Sequence, residues 1–106
     1  MLLPGGILRN TDDNGLMFHC PGCDGPHIVH HGEGAGPRWS WNGSTDAPTF
    51  KPSVLVRWHE GDPYNAGIRI DKVCHSFVTD GKIQFLNDCT HALAGQTVQL
   101  PEWGAR

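Results

Sequence analysis

No stretch of this 106-residue chain approaches the roughly 20 consecutive apolar residues that a membrane-spanning helix needs, so no membrane association is expected. A basic stripe is missing too. Eight Lys and Arg stand against eleven Asp and Glu, the net charge is -3, and the cations are scattered singly from Arg9 to Arg106. A nucleic-acid partner, which requires clustered cations to neutralise phosphates, is therefore not expected. There is no sustained 3.6-residue apolar period, no heptad and no internal repeat, which leaves little room for helix. The opening Met1-Leu2-Leu3-Pro4-Gly5-Gly6 is apolar but short for an export leader and has no charged flank. The expected location is thus a reducing cytoplasm, where clustered cysteines bind metal more often than they form disulfides.

What the chain does contain is turn formers, with 14 Gly and 8 Pro beside only 38% hydrophobic residues. That mixture favours strands and long connections. The length suits a single domain over residues 1–106, with 1–15 and 102–106 peripheral. A loop-rich chain of this size benefits from a covalent or metal staple, and four cysteines are available for one.

The turn cluster Asn10 to Gly15 precedes a strand at Leu16 to Cys20, and a second strand lies near His27 to His31. Between them Cys20-Pro21-Gly22-Cys23 makes the tip of a hairpin. Residues 31–37 read as a loop, Arg38 to Trp41 as a short aromatic strand, Ser53 to Trp58 as a β-branched strand, and 59–67 as another loop. The strongest local signal is Asp80-Gly81, the dipeptide favoured in type I′ turns because both central residues take positive φ. A two-residue loop there pairs Thr79 with Lys82, Phe77 with Gln84, His75 with Leu86 and Val73 with Asp88. By alternation Cys74, Ser76, Val78, Ile83, Phe85 and Asn87 share one face, which Cys89 can join, and Val73, His75, Phe77, Leu86 and Asp88 the other. A helical turn at Thr90 to Ala94 and a strand at Thr97 to Leu100 complete the pattern. The fold class is mostly β, with about six short strands stapled by metal. Trp39, Trp41, Phe50 and Trp58 are expected to fill the core.

A Cys-x-x-Cys turn delivers two thiolates from one knuckle, and tetrahedral zinc takes four sulfur or nitrogen ligands. Cys20, Cys23, Cys74 and Cys89 form the simplest structural zinc site, because the hairpin brings Cys74 and Cys89 together on a diagonal. A three-cysteine, one-histidine version uses His75 or His91. The other five histidines, His27 among them, are assigned to surface or strand positions. Buried, metal-free thiols are the plain alternative. A thioredoxin-like redox pair is disfavoured, since it needs a helix N-terminus where Pro21, Gly22, Gly25 and Pro26 stand.

A closed four-ligand site does no chemistry itself. The remaining reactive groups concentrate in Cys74-His75-Ser76 and Asp88-Cys89-Thr90-His91. Nucleophilic catalysis needs a hydroxyl, a base in hydrogen-bond reach and an orienting acid. Ser76 as nucleophile, His91 or His75 as base and Asp88 as orienting group could fill those roles. Alternation counts against a Ser76–His75–Asp88 set, because Ser76 faces away from the other two. Ser53, after Pro52, is a second candidate hydroxyl. His75 and Asp88 as an ordinary cross-strand pair is the plainer reading.

The stretches Phe18 to Cys23, Trp39 to Gly43 with Pro48 to Val54, and Cys74 to Val78 with Asp88 to Gly95 resemble a family of small phage and prophage proteins of undefined function. That family is often mislabelled ammonia monooxygenase, an activity for which copper or di-iron ligand sets are missing here. More distantly, the cysteine knuckle, the Pro-Ser-aliphatic segment and the Cys-x-Ser motif near a Phe are similar to predicted peptidases of bacterial ubiquitin-like conjugation operons. That resemblance implies Cys20, Cys23 and Cys74 as zinc ligands, Ser76 as nucleophile, a bacterial host cell and a protein or peptide substrate. The chain departs from it at Phe77, where the relatives carry a His. A hydrolase of peptidase type and a non-enzymatic phage accessory module binding a host or phage protein are the two functional expectations.

Overall fold

The computed structural model describes residues 1–62 and 64–104. Eight strands run in the order β1 (Arg9–Asn10), β2 (Gly15–Cys20), β3 (Gly25–His30), β4 (Ser40–Trp41), β5 (Phe50–Asp62), β6 (Asn65–Thr79), β7 (Lys82–Phe85) and β8 (Thr97–Gln99). They form two antiparallel sheets, β1-β2-β3 and β4-β5-β6-β7-β8, in which every neighbour in space is also a neighbour in sequence. There is no helix among the described residues, and residues 91–95 form turns where a helical turn was expected.

The sheets face each other across a core drawn from alternate residues of each. Leu16, Phe18, Cys20 and Val29 come from the small sheet, and Phe50, Val54, Cys74, Val78, Ile83 and Phe85 from the large one. Phe18 and Phe50 stack across the interface with centroids 6.2 Å apart. Such a pair adds about 0.5–1.5 kcal/mol beyond its buried area. Phe50 is core, while Trp39, Trp41 and Trp58 pack against its edge.

The two tight hairpins follow from local sequence. Cys20 pairs with Gly25, so the Cys-x-x-Cys knuckle is the β2–β3 tip. At the other, Asp80 (φ 50°) and Gly81 (φ 78°) make the type I′ turn, and Thr79–Lys82 and Phe77–Gln84 pair as expected.

Two further elements differ from the sequence expectation. The loop assigned to 59–67 is mostly strand: β5 and β6 stay paired out to Asp62 and Asn65, forming a long hairpin arm with exposed sides. Pro63, within that expected loop, lies outside the described residues, as do positions 105–106 of the peripheral tail. The ladder after Asp80-Gly81 also ends sooner than expected. Leu86 N–H still donates to the His75 carbonyl, but Val73 meets Thr90 and not Asp88. The chain thus turns away at Leu86 and carries Asp88 and Cys89 back along β6.

Between Phe50 and Val54 the β5–β6 register shifts. Phe50 pairs with Val78 and Val54 with Ser76, so Lys51, Pro52 and Ser53 stand opposite the single residue Phe77. The Lys51–Pro52 bond is cis. This bulge sets Ser53 on the outer face of the large sheet.

Candidate metal centre and catalytic cluster

Alternation along β6 divides its reactive residues between two environments. Cys74 and Ser76 point inward and are buried; His75 and Phe77 point outward. The inward set meets the knuckle. One donor atom each from Cys20, Cys23, His27 and Cys74 lies within 4.8 Å of all the others, and Cys20 Sγ is 3.8 Å from Cys74 Sγ. Three of these residues belong to the small sheet and its knuckle and one to the large sheet, so a shared ion would staple the two.

His27 is where the structure departs from the four-cysteine expectation. It pairs with Phe18, two residues before Cys20, and therefore turns inward with both. Its Nε2 is buried and makes no hydrogen bond, an expensive state for an imidazole unless it has a ligand role. The signal was present in the sequence: a hairpin closing at Cys20-Pro21-Gly22-Cys23 returns residue 27 to the face of residue 18. Cys89 lies outside that group. It forms a second cluster with Cys74 and His91, and its thiol is turned onto the His75 backbone.

The thiols cannot all ionise on their own. Cys74 donates a hydrogen bond to Cys20 and holds that thiol down to about 4 from an ordinary 9, with nearby His27 acting the same way. The same contact and burial push Cys74 up, and burial with the neighbouring Cys20 charge pushes Cys23 up to about 11. One thiolate among two protonated thiols and an imidazole whose buried Nε2 makes no hydrogen bond is a donor set that fits a metal cation.

His91 caps this cluster from outside. Its Nδ1 accepts the Leu93 N–H at 3.2 Å, which leaves the proton on Nε2, 3.5 Å from Cys74 Sγ. Phe85 meets its ring edge-on at 4.4 Å. A side chain on Gly22 would collide with the His91 ring, so the knuckle glycine is required by this close approach. With both nitrogens engaged, His91 is not placed to serve Ser76. The Ser76 hydroxyl is fully buried with no hydrogen-bond partner, so no base stands beside it.

The outward set is arranged differently. His75 Nδ1 lies 3.1 Å from Asp88 Oδ2, and His75 Nε2 lies 3.1 Å from Ser53 Oγ. A carboxylate only accepts, so Nδ1 carries the proton and Nε2 accepts from the Ser53 hydroxyl. The Asp88 and His75 side chains are 52% and 25% exposed, leaving the group open to solvent. The Trp39 indole N–H donates to the Ser53 carbonyl at 3.2 Å and fixes the bulge from behind. Of the expected catalytic residues, His75 and Asp88 are brought together, and the hydroxyl they meet is that of Ser53. Sequence pattern could not rank Ser53 above Ser76, because its position depends on the bulge and on pairing with β6. A cleft of about 360 Å³ farther out on the arm, near Arg57, His59 and Arg69, contains none of these groups.

No curated protein and no solved structure is significantly similar to the chain. A family model does match, over residues 2–86, described as the bacterial ubiquitination-like system serine protease, BubE. The match takes in the knuckle, His27, Ser53 and His75, stops two residues before Asp88, and bears on the conjugation-operon resemblance, not the phage one. On the strength of that match the chain belongs to the BubE family of bacterial ubiquitination-like system serine proteases.

Proposed function

We propose that the chain is a serine hydrolase acting on a peptide or protein acyl bond, with Ser53 as nucleophile, His75 as general base and Asp88 orienting the imidazole. The observation that carries this reading is the continuous Ser53–His75–Asp88 hydrogen-bonded line, both links at 3.1 Å. A hydroxyl, a base and a carboxylate in this order recur on unrelated folds among enzymes of acyl transfer. Ser53 Oγ attacks the carbonyl carbon as its proton passes to His75 Nε2; the C–O bond forms. The bond to the leaving group then breaks, and His75 returns the proton to the departing atom. Water, deprotonated by the same nitrogen, cleaves the acyl ester and regenerates Ser53.

In this reading the metal is zinc, since three sulfurs and one imidazole suit a tetrahedral d10 ion. Cys20, Cys23, Cys74 and His27 hold it. A full protein shell leaves it a structural role, tying β6 to the knuckle and thereby fixing the strand that carries His75.

Labelling with a fluorophosphonate tests the assignment. Labelling of the native protein at Ser53, lost with Ser53→Ala, reduced about 10³-fold or more with His75→Ala and kept with Ser76→Ala, supports it. A label on Ser76 overturns it and moves the nucleophile to that residue; no label at all overturns it and favours the accessory binding module.

A further inference from the structure

Leu55 and Phe77 are large apolar side chains left 43% and 42% exposed, and both lie beside the reactive group. Leu55 is the cross-strand partner of His75, and Phe77 is the single residue opposite the bulge that carries Ser53. Ser53 thus sits between them on one face, with Leu55 about 7 Å along the strand and Phe77 about 5 Å across it. Leu86, half-buried, borders His75 on its other side. The half-buried Val73, opposite Arg57, ends the apolar surface. Beyond Leu55 the same face turns polar at Arg57, His59, Asp71 and Arg69.

We propose that Leu55 and Phe77 are specificity-determining residues, which select an extended peptide by a bulky apolar side chain on the residue that acylates Ser53. The proposal rests on the Ser53 reading. For attack the carbonyl carbon must come within about 3–3.5 Å of Oγ, so the chain that bears it has to lie over this part of the sheet. Its side chains alternate away from and toward the sheet, and one that points down beside the carbonyl meets Leu55 or Phe77. A peptide with Gly or Asp there leaves both side chains in water, or buries a carboxylate against them. Apolar complementarity of this kind discriminates by about 10–200-fold.

The test uses peptide diphenyl phosphonates with a Gly, Asp or Leu side chain next to phosphorus, and reads second-order labelling rates at Ser53. The Leu reagent is expected to exceed the Gly and Asp reagents by about 10-fold or more in the native protein. The Leu/Gly ratio falls to within about 2-fold of unity in Leu55→Ser and Phe77→Ser, and Leu55→Arg turns the preference toward Asp. Equal rates for the three reagents, a preference that survives all three variants, or no phosphonate labelling where a fluorophosphonate labels Ser53 overturns the proposal and leaves the nucleophile intact. A change of oligomeric state in the variants with an unaltered preference also overturns it and marks the patch as a contact between copies. Absence of fluorophosphonate labelling at Ser53 removes the nucleophile itself.

Discussion

The Cys89 thiol closes both backbone polar groups of His75, accepting from its N–H and donating to its carbonyl, each at 3.2 Å. It takes the place of the ladder bond that the His75 N–H would have made had β7 continued, shares the His75 carbonyl with the Leu86 N–H, and holds His75 from a residue adjacent to Asp88. Cys89→Ala leaves a strand N–H without a partner and lets the imidazole drift. Labelling of Ser53 is expected to slow by up to about 10²-fold, with metal content unchanged, and Cys89→Ser to recover part of the rate because a hydroxyl can accept and donate in the same way. Elemental analysis beside labelling kinetics checks this; loss of metal from Cys89→Ala would make Cys89 a ligand.

His27→Ala removes one of four donors and should weaken metal binding by about 100-fold, as measured by competition with a chromophoric chelator. His91→Ala removes a hydrogen bond to a ligating sulfur and is expected to cost about 10-fold. The reverse order would transfer the ligand role from His27 to His91.

Metal uptake also displaces protons. Cys23 and Cys74 are held above their ordinary value, so both are protonated in the metal-free protein at neutral pH and ionised once bound. Affinity therefore rises with pH, approaching a 100-fold gain per pH unit for two protons released. The same chelator titration at pH 6.5 and 7.5 reads it, and a pH-independent affinity would mean the thiols were already ionised.

Trp39→Phe keeps most of the packing and deletes the hydrogen bond to the Ser53 carbonyl. A loss of about 1 kcal/mol in denaturant unfolding is expected, together with slower labelling of Ser53. If stability falls and the labelling rate does not, Trp39 supports the fold without positioning the nucleophile.

The parts of this molecule legible in sequence are those whose causes are local. Asp80-Gly81 dictates its own turn, and the turn dictates which side each residue of β6 faces, so the separation of Ser76 from His75 was readable in advance. Cys20-Pro21-Gly22-Cys23 likewise announces a knuckle. Ser53 was not distinguishable from an ordinary strand serine, because its place depends on a two-residue register shift against a strand some twenty positions later. Cys89 looked like a fourth thiolate for a similar reason: spacing showed that it comes near Cys74, but only the early end of β7 shows where its sulfur turns. The outer half of the arm was hidden by Gly61 and Gly67, whose turn propensity does not prevent cross-strand pairing from Arg57–Val73 out to Gly61–Arg69.

Because β6 serves the interior with its even-numbered side chains and the open face with its odd-numbered ones, its reading frame is itself a constraint on how the gene can change. One residue inserted between Lys72 and Phe77 would put the two ends of β6 out of phase, so that Cys74 and His75 could not both keep their faces and their pairing with β5 and β7. The same insertion near Gly61 and Arg69 shifts only the exposed end of the arm, so length variation among homologues should collect there and be absent from the stretch around His75.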